Sequence, residues 1–188
     1  MARPKSESKR SAILAAATGL IAEQGLGAPT AEIAKKAGVP QGSVFTYFAT
    51  KAKLYNALYQ ELSAELTDTV MAEMPSNKDP LVQFRHLWVT WTKWGVSNPS
   101  KRRAQLQLKV SDLVTKGTLD SAYKYASPVF DLIQRVSAKG VLRDAPWIYV
   151  GALIEDWAAT TTDFMISHPI EADQYCKRGY DAVVRALR

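Results

Sequence analysis

The 188-residue chain is 47% hydrophobic and carries a formal net charge of +6, which supplies enough apolar material for an ordinary globular core. No run of about eighteen apolar residues occurs, which argues against a membrane-spanning helix, and the charged N-terminal residues do not make the apolar stretch of a secretory signal. Cys176 is the only cysteine and the two histidines, His86 and His168, are far apart. Neither a disulfide framework nor a metal or cofactor site is expected, and a reducing, cytoplasmic setting is.

The charge is unevenly placed. Residues 1–60 hold eight Lys and Arg against three Glu, a net +5, and the other 128 residues hold 16 basic and 15 acidic side chains, a net +1. A concentrated positive region attracts a polyanion, and phosphate neutralisation supplies most sequence-independent affinity for DNA. Arg3 and Lys5 have two readings, an arm entering a minor groove or a solvated basic tail.

In chain order the periodicity predicts helices throughout, with no alternating strand pattern and no Asn-Gly or Asp-Gly hairpin. A first helix over 8–24 buries Ile13, Ala16, Ala17, Leu20 and Ile21, and Gly25 ends it. Thr30 is expected to N-cap a short helix with Ile33, Ala34 and Ala37 inward. Gly38 and Val39-Pro40 make a turn into a second short helix over 41–48, with Val44 and Phe48 inward. A longer helix starts at Lys51 and ends before Met74-Pro75. Beyond it, helices are predicted over 80–96, 101–114, 119–139 with a kink or an interruption at Pro128, 146–167 with Pro146 as first residue, and 172–187.

Two short helices across a glycine-bearing turn have the architecture that places a recognition helix in the major groove of DNA. The chemistry agrees. Gln41, Ser43 and Thr46 are short hydrogen-bonding side chains suited to base edges, Gly42 leaves room for close approach, and Tyr47 offers an aromatic body with a hydroxyl. Lys51 at a helix start can meet a phosphate together with the amides of that turn.

The segment from Thr30 to Lys51, TAEIAKKAGVPQGSVFTYFATK, resembles the DNA-binding segment of the tetracycline-repressor (TetR) family, and the helices on either side sit where that family puts them. The resemblance covers about the first third of the chain; the remainder is similar only in length and helical order. It implies homodimers that bind palindromic operators on double-stranded DNA and block transcription until a small-molecule effector enters the larger helical domain. Carried over by position, Thr30, Gln41, Gly42, Ser43, Phe45, Thr46, Tyr47 and Lys51 would meet DNA. Phe45 departs from the tyrosine most common at its place, which removes one hydroxyl from the expected phosphate contacts, and Thr46 departs from a frequent aromatic.

The expected fold is all-α: a three-helix helix-turn-helix DNA-binding domain over 1–50, then a larger helical ligand-binding and dimerisation domain over 51–188. In the second, Phe84, Trp88, Trp91, Gln105, Tyr123, Trp157, Thr160 and Phe164 are the candidate lining of a pocket for a largely apolar or aromatic ligand. Simple core packing is the other reading of such an aromatic stripe. Gly151, Ala152, Glu155, Ala158, Ala159, Val183, Val184 and Leu187, on the last two helices, are the candidate dimer interface, since the resemblance implies a four-helix interface there. The alternative function is an effector-independent activator or architectural DNA-binding protein. No phosphate loop, serine elbow, metal cluster or paired catalytic carboxylates is present to suggest an enzyme.

Overall fold

A computed structural model describes residues 3–76 and 79–188, the side chains from Glu7 onward. The described residues are helical with no strand. In order they form α1 (Arg3–Gln24), α2 (Thr30–Lys36), α3 (Gln41–Tyr47), α4 (Lys51–Met71), α5 (Pro80–Ser97), α6 (Pro99–Lys109), α7 (Lys116–Tyr125), α8 (Ser127–Ser137), α9 (Trp147–Ser167), a single 3₁₀ turn (Pro169–Glu171) and α10 (Ala172–Leu187). None of these helices is long and apolar enough to cross a membrane.

Most boundaries follow local chemistry. Gly25 takes a left-handed backbone at the end of α1 and donates its N–H to Ile21. The helix expected to reach Val114 stops at Lys109, because Ser111 accepts the Leu113 N–H and its carbonyl takes that of Val114, a local turn that competes with helix. The stretch over 119–139 is interrupted near Pro128 and forms two helices, α7 and α8. They part at Ala126, with Pro128, which has no N–H to give, in the first turn of α8. α1 begins at Arg3 and not near Ser8; the side chains of Arg3 and Lys5, the candidate minor-groove arm, lie outside the described residues.

The chain divides into two compact units. The first is residues 1–63 with 99–123, the second 64–98 with 124–188. The first therefore takes in the start of α4, all of α6 and most of α7 besides the helix-turn-helix. Its core joins Ile13, Ala17 and Ile21 of α1, Ile33 of α2, Val44 and Phe48, Leu54 and Leu58 of α4, and Ala104 and Leu108 of α6, all buried. In the second unit α9 packs on α5 and α10, and α8 on α5. Phe84, Leu87, Trp88, Ile154, Val183 and Leu187 are wholly buried there.

Candidate nucleic-acid interface

The turn between α2 and α3 is a helix C-cap in which Gly38 holds φ +66°, while the N–H groups of Gly38 and Val39 close on the carbonyls of Lys35 and Ala34 at 3.1 Å each. Only glycine takes that backbone without strain, so the turn is written into the sequence. Thr30 does not cap α2 as expected: Pro29 holds the cap position without a side-chain bond, and Thr30 is the first helical residue. Pro29 offers its carbonyl to Glu32 and Ile33, which fixes the start of the helix without help from a hydroxyl.

α3 is only seven residues long, too short to be stable alone, and is held by Val44 and Phe48, 1% and 5% exposed. That anchoring leaves Gln41, Gly42, Phe45 and Thr46 on the exposed side, with Ser43 and Tyr47 half-buried at its margins. Thr46 donates its hydroxyl to the Gly42 carbonyl at 3.3 Å, so its oxygen remains available as an acceptor toward solvent. Phe45 is exposed at 47%, an apolar body where α3 has no core to cover it.

Lys51 opens α4, and the turn behind it is capped by Thr50, whose hydroxyl oxygen accepts the Lys53 N–H at 3.1 Å. The Lys51 ammonium lies 5.4 Å from the Tyr55 ring centroid, a cation–π contact that holds the charge beside the amide end of α4. Tyr55 is fully buried and donates its hydroxyl to the Leu26 carbonyl at 2.7 Å; burial pushes that hydroxyl up to about pKa 12. Asn56, the next residue, joins α4 to the segment before α7. Its amide donates to the Leu113 carbonyl at 2.7 Å and its carbonyl accepts the Thr115 N–H at 2.9 Å and the Thr118 hydroxyl. Sequence reasoning passed over Thr50, Tyr55 and Asn56. The threonine before a helix start was a readable signal, whereas nothing in the sequence shows which carbonyl a tyrosine or an asparagine will meet.

The basic side chains near this surface are not equivalent. Lys36 pairs with Glu23 at 3.0 Å and Arg10 with Glu61 at 3.2 Å, while Lys9, Lys35 and Lys53 stand exposed. Exposed positive charges attract a phosphate backbone.

The candidate pocket residues differ in their surroundings. Phe84 and Trp88 are wholly buried, and the Trp88 indole N–H is satisfied by the Cys176 carbonyl at 3.0 Å; Trp91 is half-buried. Trp157, Thr160 and Phe164 lie on the exposed side of α9, at 37% exposure for Trp157 and 45% for Phe164, and Phe164 stacks on His168. Gln105 and Tyr123 belong to the first unit, where Gln105 donates to the Ser63 hydroxyl. A groove of about 360 Å³ does lie between α5 and α10, lined by Val89, Cys176 and Tyr180 with Arg85, Lys93, Lys177, Asp173 and Asp181, and none of the candidate residues lines it.

The candidate interface residues also divide. Gly151 and Ala158 face inward: a methyl at Gly151 would come 2.6 Å from the Phe130 ring, and Ala158 is 1% exposed. Val183 and Leu187 are wholly buried within the subunit, so their apolar strip is already occupied. Ala152 is exposed, and Glu155, Ala159 and Val184 are half-exposed. α9 and α10 pack on each other, which accounts for part of this burial.

Residues 13–58 match the sequence profile of the bacterial regulatory proteins of the tetR family. Along nearly its whole length the chain superposes on a tetR-family transcription regulator from Shewanella sp. PV-4, with a TM-score of 0.86, 26% identity, and 95% of this chain and 97% of that one covered. A TetR-family transcription regulator from Marinobacter aquaeolei VT8 has the same fold at TM-score 0.82 and 19% identity, covering 98% and 97%. The nucleoid occlusion factor SlmA of Haemophilus ducreyi is 26% identical over 105 residues, 55% of this chain, and the match spans 52% of that protein.

Proposed function

From the premise of a TetR-family transcription regulator, with residues 13–58 as its DNA-binding domain, we propose that the protein is a homodimeric repressor. It docks the exposed side of α3 in the major groove of a palindromic operator and is released by a small, largely apolar effector. The observation that carries this reading is the two-sidedness of α3: Val44 and Phe48 are buried, and Gln41, Gly42, Phe45 and Thr46 are presented to solvent. Gln41 and Thr46 are the base-reading side chains. Thr30, Ser43 and Tyr47 position the helix on the sugar–phosphate walls, and Lys51 meets a phosphate at the start of α4.

Homodimerisation is assigned to the outward side of α9, where Tyr149, Ala152, Trp157, Thr160 and Phe164 share one exposed stripe. An exposed stripe with three large aromatic residues is unusual for a monomer surface and suits a partner helix. Effector release belongs to the second unit.

A second reading, an effector-independent DNA-binding protein, is favoured by one observation: Phe84 and Trp88 are packed as core and the Trp88 N–H is already satisfied. Tryptophan emission separates the two readings. A releasing ligand changes emission and operator affinity together, and a protein without an effector has no compound that does both.

The test of DNA reading is anisotropy against a duplex enriched from fragmented genomic DNA at moderate salt. Tyr47→Ala and Lys51→Ala are expected to weaken binding about tenfold, with helix content unchanged. Wild-type protein that binds unrelated duplexes as tightly as the enriched one rejects the proposal.

A further inference from the structure

Arg10 is one of the eight basic residues behind the N-terminal charge excess, and by charge alone it would be read as one more phosphate contact. Its surroundings argue otherwise. Its Nη1 donates to Glu61 of α4 at 3.2 Å and lies 3.6 Å from Glu7, so two carboxylates surround one guanidinium and the local charge is negative, not positive. The guanidinium carbon also sits 5.7 Å from the centroid of the Phe48 ring. Phe48 is the C-cap residue of α3 and 5% exposed, so the group that touches it touches the end of the recognition helix. A planar cation is suited to this double task, with its edge on a carboxylate and its face on an aromatic ring.

We infer that Arg10 is a positioning residue: through Phe48 and Glu61 it sets the angle of α3 against α1 and α4, and it makes no phosphate contact. The inference rests on the DNA-reading conclusion above and adds a part to it. Seven residues cannot fix their own direction, and a small rotation of α3 displaces Gln41 and Thr46 from base edges while leaving Lys51, on another helix, where it was. Loss of Arg10 therefore falls on specific binding and not on the general attraction to DNA.

The experiment measures the salt dependence of binding by the full chain to the enriched duplex and to an unrelated duplex, for wild type, Arg10→Ala, Arg10→Lys, Glu61→Gln and Lys51→Ala, with thermal unfolding as a control for folding. Arg10→Ala and Glu61→Gln are expected to weaken the enriched duplex about fivefold, with the slope of log K against log salt and the binding of the unrelated duplex unchanged. Arg10→Lys recovers only part, since an ammonium keeps the pairing and loses the planar face. Lys51→Ala lowers the slope by about one per subunit, as a lost phosphate contact does.

A phosphate role for Arg10 gives the opposite pattern: Arg10→Ala lowers the slope, Arg10→Lys restores it fully, and Glu61→Gln tightens binding by removing a carboxylate. That result overturns the inference and leaves the DNA-reading conclusion standing, as does an unchanged affinity in the isosteric Glu61→Gln. A wild-type protein that does not discriminate between the duplexes overturns both.

Discussion

Gly42 stands second in α3, outside the left-handed backbone region, and a methyl built on it would meet nothing within 4 Å. Neither backbone geometry nor packing inside the subunit calls for a glycine, in contrast to Gly38, whose φ of +66° no branched side chain tolerates well. In the proposed docking, a bare position on the exposed side of α3 lets DNA approach the backbone from outside. Gly42→Ala is therefore expected to raise folding stability by about 0.5–1 kcal/mol in urea titration, because alanine loses less entropy on entering a helix. The same variant should bind the enriched duplex several-fold more weakly. Gains in stability and in affinity together would count against close backbone approach at this position.

Among the elements, the sequence told most where glycine, proline or strict periodicity set a boundary. Gly25, Gly38 and Pro128 punctuate the chain as expected, and α4, α5, α9 and α10 lie within a few residues of the predicted spans. It told least where a side chain reaches across to another segment. Tyr55 is such a case: it reads as one more apolar position of α4, yet its hydroxyl is the tie between α4 and the loop after α1. Burial raises that hydroxyl from its ordinary value of 10.0 to about 12, so the folded state favours the neutral form. The stabilisation is fully present below pH 10 and is lost as pH rises through 12. Tyr55→Phe should cost about 1 kcal/mol near neutral pH, by leaving the Leu26 carbonyl unpaired. The decline of its urea midpoint between pH 10 and 12 should be shallower than in wild type; a decline of equal steepness would mean that the Tyr55 hydroxyl titrates alike in the folded and unfolded chain.

For the molecule as a whole, the exposed side of α3 was legible in the sequence because one buried pair, Val44 and Phe48, fixes the direction of every other residue in a seven-residue helix. α9 offered no such reference. It is apolar nearly all the way round, so spacing could not say that Gly151 and Ala158 turn inward while Trp157 and Phe164 turn out. An aromatic stripe likewise shows which residues share a face but not what that face meets. If the outward stripe of α9 is the dimer contact, Trp157→Glu and Phe164→Glu should each convert a dimer to a folded monomer in sedimentation velocity. Dimers that survive both changes would place the contact elsewhere.

Base reading by the exposed side of α3 is put to the test by selection from a pool of randomised duplexes. Wild-type protein is expected to enrich an inverted repeat with half-site centres about one helical turn, or a multiple of it, apart. Gln41→Ala should relax the base preference at one position in each half-site and keep the rest of the motif. No enriched sequence, or the same preferences from both proteins at every position, would contradict it.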